Sequence, residues 1–208
     1  DEAAAALRAT GVMAFGAVVD IADATQLTAW IGSAVSQLGG LDLLVCNASA
    51  LVQGNSEEAW NKMYAVDVMG VQRATGAAMP HLEAAAAQGG DASIVIISSV
   101  SAAETQTANA YGALKAAQIH FAKGLAKEKA RHHVRINVVS PGTVYFKGGV
   151  WHQVEQGMPE LFKTTLARNP TGRMATPQEI ANAAVFLASP ASAFTTGINM
   201  VVDGAITS

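Results

Sequence analysis

A chain of 208 residues, half of them hydrophobic, is long enough to bury one sizeable core, so a single domain over residues 1–208 is predicted. The net charge of −3, without a Lys/Arg cluster, argues against nucleic acid and a membrane surface as partners. No apolar run approaches the ~20 residues of a spanning helix. The single cysteine, Cys46, excludes an internal disulfide and is typical of a reducing, cytoplasmic compartment. The five histidines lack ligand spacing, so no metal site is predicted.

The predicted elements alternate between helices and strands. In chain order they are helix 1–9, strand 12–19, helix 24–38, strand 41–46, helix 56–82 with a kink near Gly70, strand 93–99, helix 109–131, strand 134–140, helix 177–188 and strand 198–202. Asp23 can cap the second helix, and Thr176-Pro177-Gln178-Glu179 is a strong helix start. Residues 143–172 are predicted to be irregular, with aromatic and apolar side chains among glycines.

The strands are continuous apolar runs rather than alternating ones. Together with the intervening helices, this pattern indicates an α/β fold with a parallel sheet covered on both faces. Ligands of such sheets bind beyond the carboxyl ends of the strands. The polar or turn residues at those ends are Asp20, Asn47, Ser98, Ser99 and Pro141-Gly142. A ligand site is therefore predicted at this edge of the sheet.

Tyr111 and Lys115 open the helix that follows the Ser98-Ser99 strand end. Residues four apart lie on one face of a helix, so the phenol and the ammonium should project side by side. A phenol titrates near pH ~10 and is a poor base at neutral pH, but a neighbouring cation favours the phenolate. The pair is therefore a candidate for proton transfer, although such spacing also occurs by chance.

Six short motifs follow one another in the order and spacing found in the short-chain dehydrogenase/reductase superfamily. They are Asp20-Ile21, Cys46-Asn47-Ala48-Ser49, Ile97-Ser98-Ser99, Tyr111-x-x-x-Lys115, Asn137-x-x-Ser140-Pro141-Gly142 and Val202-Asp203-Gly204. Over essentially all its length the chain resembles this family, and in particular its 3-oxoacyl-ACP reductase-like members. The resemblance implies a doubly wound, Rossmann-like parallel sheet and hydride transfer between a nicotinamide cofactor and a carbonyl/alcohol pair.

The resemblance also implies roles for individual residues. Tyr111 would be the acid/base, Lys115 would bind the nicotinamide ribose and lower the Tyr111 pKa, and Ser99 would hydrogen-bond the substrate oxygen. NAD or NADP would contact Asp20, Ile21, Asn47, Ala48, Tyr111, Lys115, Pro141, Gly142 and Val144. Residues 143–172 would form a substrate lid within the domain, and the protein would be a homotetramer acting on a small carbonyl or alcohol.

Three features depart from the family pattern. The Gly-rich turn that cradles the pyrophosphate is absent, so the fold would lack its first strand-helix-strand unit in this chain. We therefore expect about 30 to 50 residues before Asp1, where the sequence opens inside a helical run. Asp67 stands where the family has an asparagine of the proton relay, and the Cys46–Ser49 turn lacks its usual glycine.

Several alternatives stay open at the level of sequence. Ser98 has the usual distance along the chain from Tyr111, whereas Ser99 holds the motif position and is favoured, because a loop absorbs a deletion more easily than a buried strand shifts register. Asp20 could simply cap the next helix, and Asp67 could point away from the relay. The choice between NAD and NADP is open. The competing function is a non-catalytic member of the family that acts as a scaffold or binding partner.

Overall fold

The computed structural model describes residues 2–104 and 107–208. Its α-helices are α1 (Glu2–Ala9), α2 (Ala24–Leu38), α3 (Glu57–Met63), α4 (Val71–Gly89), α5 (Ala110–Lys129), α6 (Val150–Gly157), α7 (Pro159–Arg168) and α8 (Pro177–Ala188). Its strands are β1 (Leu43–Cys46), β2 (Ala92–Ile97), β3 (Val134–Pro141) and β4 (Asn199–Val202). None of the helices described in these two ranges is both long and apolar enough to cross a membrane.

The four strands form one parallel sheet in the order β1-β2-β3-β4. Val45 pairs with Val95, and Val95 pairs in turn with Asn137. Because all strands run in the same direction, their carboxyl ends meet at one edge of the sheet. That edge carries Asn47, Ser98, Ser99 and Pro141-Gly142. The predicted parallel sheet is confirmed.

Helices cover both faces of the sheet. One face, with Ile94, Ile96 and Ile136, packs against α2, α4 and α5 and forms the main core. The other face, with Val95 and Val139, packs against α8 through Leu187. Successive residues of a strand point to opposite faces, so burial on both sides explains why the strands are continuous apolar runs. The doubly wound α/β fold predicted from the sequence is confirmed.

The strand predicted at residues 12–19 is wrong. The segment runs as irregular chain, and Val18 is fully exposed at 104%. A strand is stabilised by hydrogen bonds to a neighbouring strand, and none of the described strands pairs with this segment. An apolar run of this length has the same sequence pattern whether or not a neighbouring strand is present to pair with it. The pattern therefore could not show that residues 12–19 form irregular chain instead of a strand.

The long helix predicted at residues 56–82 is present but interrupted by a π-helical segment, Tyr64–Gly70, between α3 and α4. Ser56 caps α3 by accepting from the Ala59 amide, and α4 continues to Gly89. The predicted kink near Gly70 coincides with the end of the π-helical segment. A side chain at Gly70 would begin 2.4 Å from Ile21 Cγ2, so this close approach requires glycine.

Residues 143–172 are not irregular, because they contain α6 and α7. Val150 and Val154 have helical spacing, but the glycines on either side of them favoured the prediction of a loop. The base of the segment is pinned beside the sheet, where the Tyr145 amide donates to the Ala175 carbonyl (2.9 Å) and the Ala175 amide donates to the Thr143 carbonyl (2.9 Å). The segment is therefore fixed at its base, and within it α6 packs against α7 as a helical hairpin.

Helix α8 begins with the predicted capping box. Thr176 Oγ1 accepts from the Glu179 amide, and the Thr176 amide donates to Glu179 Oε2 at 2.8 Å. Arg173 Nη2 also binds Glu179 Oε1 at 2.6 Å. The bond from Arg173, followed by those from Thr176, lowers the pKa of Glu179 from 4.5 to about 2.

The lowered pKa of Glu179 makes the stability of the fold depend on pH. A carboxyl group whose pKa is lower in the folded state stabilises the fold above its ordinary pKa and loses this effect as the pH falls through the folded value. Glu179→Gln should therefore lower the melting temperature at neutral pH, and the difference should shrink as the pH falls from 4.5 toward 2. Glu160→Gln, which removes an exposed carboxylate paired with Lys163, is the control. A difference between the Glu179 variant and the parent that is independent of pH would contradict the prediction.

Candidate active site

Tyr111 lies in the first turn of α5, and two contacts fix that turn against the end of β2. Asn109 caps the helix by accepting from the Gly112 amide at 2.7 Å. A side chain at Gly112 would begin 2.5 Å from the Ser101 carbonyl oxygen, so only glycine permits this packing. The phenol of Tyr111 hydrogen-bonds Ser99, whose hydroxyl also accepts from the Ser101 amide at 3.1 Å.

The two serines at the end of β2 have different partners. Ser99 is in contact with Tyr111 and lines the cavity in front of it. Ser98 donates to the Lys115 carbonyl at 2.9 Å and so binds the strand end to the backbone of α5. Its hydroxyl proton is already used within the fold. The geometry therefore places Ser99, rather than Ser98, beside the phenol.

Lys115 lies one turn after Tyr111, as its spacing predicts, and is almost completely buried. Its ammonium donates to the Ile97 carbonyl at 3.0 Å and lies 5.8 Å from the centroid of the Tyr111 ring. Asp67 Oδ1 is 3.0 Å from the same nitrogen, with side-chain exposures of 3% for Lys115 and 0% for Asp67. Lys115 is thus half of a buried ion pair, and Asp67 points toward this lysine rather than away from it.

The expected lowering of the Tyr111 pKa is wrong for this structure. Burial raises the pKa of Tyr111, the hydrogen bond with Ser99 lowers it, and the charge on Asp67 raises it further. The expected lowering rested on the charge of Lys115, whereas burial of the phenol is the largest cause of the shift. Burial of the ring and the partner of the lysine are tertiary features, and they reverse the net direction.

A cavity of about 670 Å³ opens in front of Tyr111 and Ser99. Its walls include most of the predicted cofactor residues, namely Asn47, Tyr111, Lys115, Pro141, Gly142 and Val144. Gly142 is required here by the fold as well, because a side chain at this position would begin 2.7 Å from Asp203 Cβ. The predicted residues at the ends of β1, β2 and β3 therefore meet at one cavity.

Three predicted cofactor residues lie away from that cavity. Ile21 and Ala48 line a smaller neighbouring cavity of about 230 Å³, which shares Asn47 and Val45 with the larger one. Asp20 lines neither of them, is exposed, and accepts from the Ala22 amide at 2.9 Å. Its carboxylate thus supports a local turn, while Asp23 caps α2.

Asn137, from the same motif as Pro141-Gly142, serves the fold rather than the cavity. Its side chain donates to the Thr195 carbonyl at 2.8 Å and accepts from the Ile198 amide at 3.2 Å. It therefore links β3 to the segment that enters β4.

Thr143 is a candidate site residue that the sequence motifs do not single out. Its Oγ1 is buried and has no hydrogen-bond partner among the described residues. It lies between Gly142 and Val144, which both line the cavity. A buried polar atom without a hydrogen-bond partner in the protein usually bonds a ligand or a water molecule. The available signal was a hydroxyl residue directly after the Pro141-Gly142 strand end.

The residues present fit a nicotinamide dinucleotide in part of its length. The Lys115 ammonium has three N–H groups, and the Ile97 carbonyl and the Asp67 carboxylate face two of them. One donor remains for a ribose hydroxyl, and Thr143 Oγ1 is free for an amide or hydroxyl group.

The wall opposite the strand ends is apolar. It is formed by Leu51 from the loop after β1 and by residues of the hairpin, namely Phe146, Val150 and Trp151. Leu51 has a positive φ of 52°, which is uncommon for a residue other than glycine and is frequent at ligand-contacting positions. This wall can accept the hydrocarbon part of a small molecule whose polar group faces Tyr111 and Ser99.

Comparison with known proteins agrees with this geometry. A family model described as Enoyl-(Acyl carrier protein) reductase matches residues 1–207. Isoepoxydon dehydrogenase of Penicillium expansum is 37% identical over 195 residues, which cover 93% of this chain and 74% of that protein. Cis-4-hydroxycyclohexanecarboxylate dehydrogenase of Sinomonas cyclohexanicum is 33% identical over 214 residues, covering 100% and 82%.

A solved structure shows the same fold with a cofactor. Gluconate 5-dehydrogenase from Burkholderia cenocepacia, in complex with NADP and tartrate, superposes with a TM-score of 0.86 at 28% identity, covering 99% of this chain and 80% of that one. The family model, the dehydrogenase relatives and this structure agree with the strand-end motifs. The chain belongs to the short-chain dehydrogenase/reductase superfamily of NAD(P)-dependent oxidoreductases.

Proposed function

We propose that this protein interconverts a secondary alcohol and its carbonyl compound, with Tyr111 as general acid and base. One observation carries the proposal: the Tyr111 phenol faces the cavity, hydrogen-bonded to Ser99 and one helical turn from the Lys115 ammonium. A general acid needs a transferable proton at the substrate oxygen, and a neighbouring donor stabilises the charge that develops there.

The nicotinamide cofactor, when bound, exchanges the hydride with the substrate carbon. The residues of this chain transfer the proton to and from the substrate oxygen. In reduction, the Tyr111 hydroxyl donates its proton to the carbonyl oxygen while Ser99 donates a hydrogen bond to the same oxygen. In oxidation, Tyr111 accepts the alcohol proton, so the phenolate is the active form. Lys115 favours that form through its charge and binds the cofactor ribose.

The cofactor is proposed to extend from Thr143 and Lys115, past Asn47, Pro141, Gly142 and Val144, toward Ile21 and Ala48 in the neighbouring cavity. Asp20 lies next to Ile21 and is the candidate contact for the adenine amino group. NAD and NADP are both compatible with these residues. Calorimetric titration of the full chain with each cofactor distinguishes them, and a failure of both to bind would contradict the proposal.

Residues 143–172 are proposed to act as the substrate lid. The hairpin α6–α7 supplies Phe146, Val150 and Trp151 to the cavity, and Tyr145 hydrogen-bonds Glu155 within it. A hydrocarbon wall favours a substrate whose alcohol carbon carries apolar groups, and relatives named for cyclohexane-type substrates support this class. Oxidation of a panel of cyclic and open-chain secondary alcohols with NAD⁺ or NADP⁺ tests the proposal.

A homotetramer in the cytoplasm is proposed from the family resemblance. Exposed apolar residues support association between copies of the chain: Val185 is 65% exposed, Phe186 is 43% exposed and Val201, on the edge strand β4, is 49% exposed. Apolar residues that come together on a surface mark an interaction site, so these side chains are candidates for the contact between copies. Light scattering coupled to size-exclusion chromatography measures the assembly, and a monomer at micromolar concentration would contradict it.

A pair of serine variants tests the assignment at the end of β2. Ser99→Ala should lower turnover by roughly 100-fold, since it removes a donor to the developing oxyanion. Ser98→Ala should keep turnover and lose about 1 kcal/mol of stability, because its hydrogen bond to the Lys115 carbonyl is structural. Steady-state kinetics and thermal unfolding of both variants give the answer, and the reverse pattern would assign the catalytic role to Ser98.

A further inference from the structure

Asp67 is a fully buried carboxylate that the proposed proton transfer does not use. It lies in the π-helical segment between α3 and α4 and has no exposed surface. Its Oδ1 is 3.0 Å from Lys115 Nζ, and its Oδ2 accepts from the Ala50 amide at 2.9 Å. Gln118 of α5 donates to the Asp67 carbonyl at 2.7 Å. The residue is therefore held from three directions, and its charge faces the catalytic helix.

The backbone around Asp67 is also unusual. Single π-helical turns within α-helices are rare and are frequent at functional sites. Here the π-helical segment ends at Gly70, whose lack of a side chain leaves room for Ile21. Burying a charged residue in such a segment lowers the free energy of unfolding, and a purely structural role would not require this loss.

We propose that Asp67 is a positioning residue for the proposed reaction: its buried carboxylate holds the Lys115 ammonium in place and offsets part of the field that this ammonium exerts on the Tyr111 phenol. The inference rests on the proposed function of Tyr111 and goes beyond it, because it assigns to this chain an acidic residue where the family resemblance gives a neutral amide.

The charges explain the effect. A cation alone beside a phenol favours the phenolate, whereas a cation paired with a carboxylate has a much smaller field at the same distance. The charge on Asp67 raises the pKa of Tyr111, as a nearby negative charge should. This rise adds to the larger one that burial of the phenol causes. Without the carboxylate, the lysine charge would be uncompensated and the phenolate would form at lower pH.

The elements around α5 carry other titratable groups, none of which contributes to the pKa shift of Tyr111. On α3, Glu58 and Lys62 bind each other at the surface, and on β3 Arg135 is bound to Asp91 at the opposite end of the sheet. The remaining ones are Glu57 on α3, Tyr64 on the π-helical segment, Arg131 and His132 after α5, and His120, Lys123, Lys127, Glu128 and Lys129 along α5. Among the described residues, Asp67 is the charged group that acts on the pKa of Tyr111, and its partner Lys115 lies 5.8 Å from the centroid of the Tyr111 ring.

Asp67 also couples the helix to the cavity wall. The Ala50 amide that it binds belongs to the loop after β1, and this loop supplies Asn47, Ser49 and Leu51 to the cavity. An asparagine in the same orientation would turn its NH2 group toward either the Lys115 ammonium or the Ala50 amide, which are both donors. The carboxylate presents one oxygen to each group, in an ion pair with Lys115 and a hydrogen bond from the Ala50 amide.

The test is the titration of Tyr111 in Asp67→Asn. Ultraviolet absorbance of tyrosinate is recorded against pH, and subtraction of the same variant carrying Tyr111→Phe isolates Tyr111 from Tyr64 and Tyr145. We expect the Tyr111 midpoint to fall by on the order of 1 pH unit, the lower end of shifts caused by a neighbouring charge. Asp91→Asn, which removes a carboxylate from the buried cation Arg135 at the other end of the sheet, should leave the midpoint unchanged. An unshifted or higher midpoint in Asp67→Asn overturns the inference.

Kinetics give the second readout. In the oxidation direction, the basic limb of the kcat/KM profile should move to lower pH in Asp67→Asn by the same amount. If Tyr111→Phe abolishes turnover while Asp67→Asn leaves both the limb and the midpoint unchanged, only the role of Asp67 fails. If Tyr111→Phe keeps turnover, the proposed function fails, whereas the titration still reports on Asp67. If Asp67→Asn does not fold, Asp67→Ser removes the charge with a smaller side chain, and failure of both to fold would make the carboxylate purely structural and overturn the inference.

Discussion

Tyr111→Phe is expected to lower turnover by at least ~100-fold, the lower range for the loss of a general acid and base. The ring and its packing are kept, while the hydroxyl that faces the cavity and hydrogen-bonds Ser99 is lost. Affinity for the cofactor should change little, because the phenol acts on the substrate oxygen. Steady-state kinetics in both directions and calorimetric titration with cofactor measure the two effects.

Tyr64→Phe is the matched control for this variant. Tyr64 is 49% exposed on the π-helical segment and does not line the cavity, so its loss should leave turnover near the parental value. Near-normal turnover in Tyr111→Phe with every accepted substrate would remove the proposed acid/base from the site. Equal losses in both variants would point to a general disturbance of the fold.

Lys115→Ala should damage turnover, cofactor binding and stability together. The ammonium is placed to bind the ribose and to favour the phenolate, so kcat should fall and KM for the cofactor should rise. The variant also leaves Asp67 buried without its cation, at 0% exposure. Removing one partner of a buried ion pair typically costs roughly 3–5 kcal/mol. Steady-state kinetics measure the losses of turnover and of cofactor binding, and denaturant unfolding measures the loss of stability.

The double variant Lys115→Ala, Asp67→Asn tests the origin of the stability loss. It removes the stranded carboxylate charge, so it should be more stable than Lys115→Ala alone while remaining as inactive. Such non-additivity is expected of residues in direct contact. A double variant that is less stable than either single variant would mean that the two side chains stabilise the fold independently.

Local sequence signals were sufficient where a few neighbouring residues decide the structure. The cap of α2 at Asp23 and the capping box of α8 were predictable, because each is formed within four residues along the chain. The strand-end residues were predictable for a related reason. A parallel sheet gathers the carboxyl ends of its strands at one edge, whatever the details of packing.

Signals of this kind fail where the partner is distant in sequence. The run at 12–19 has strand composition, but pairing with a neighbour decides whether it becomes a strand. The ion pair of Lys115 with Asp67 joins α5 to the π-helical segment, two elements distant in sequence, so the sequence left open whether Asp67 points toward the lysine. The pKa direction of Tyr111 follows from burial and from Asp67, so it too required the tertiary structure.

The most direct test of the central claim is transfer of deuterium. Secondary alcohols deuterated at the carbinol carbon, including cyclohexanol, are incubated with the full chain and NAD⁺ or NADP⁺, and the reduced nicotinamide is analysed by mass spectrometry. The account predicts that at least one alcohol yields deuterated reduced nicotinamide and the corresponding ketone, and that Tyr111→Phe greatly slows this transfer. Absence of deuterium from the nicotinamide with every alcohol and both cofactors would contradict it.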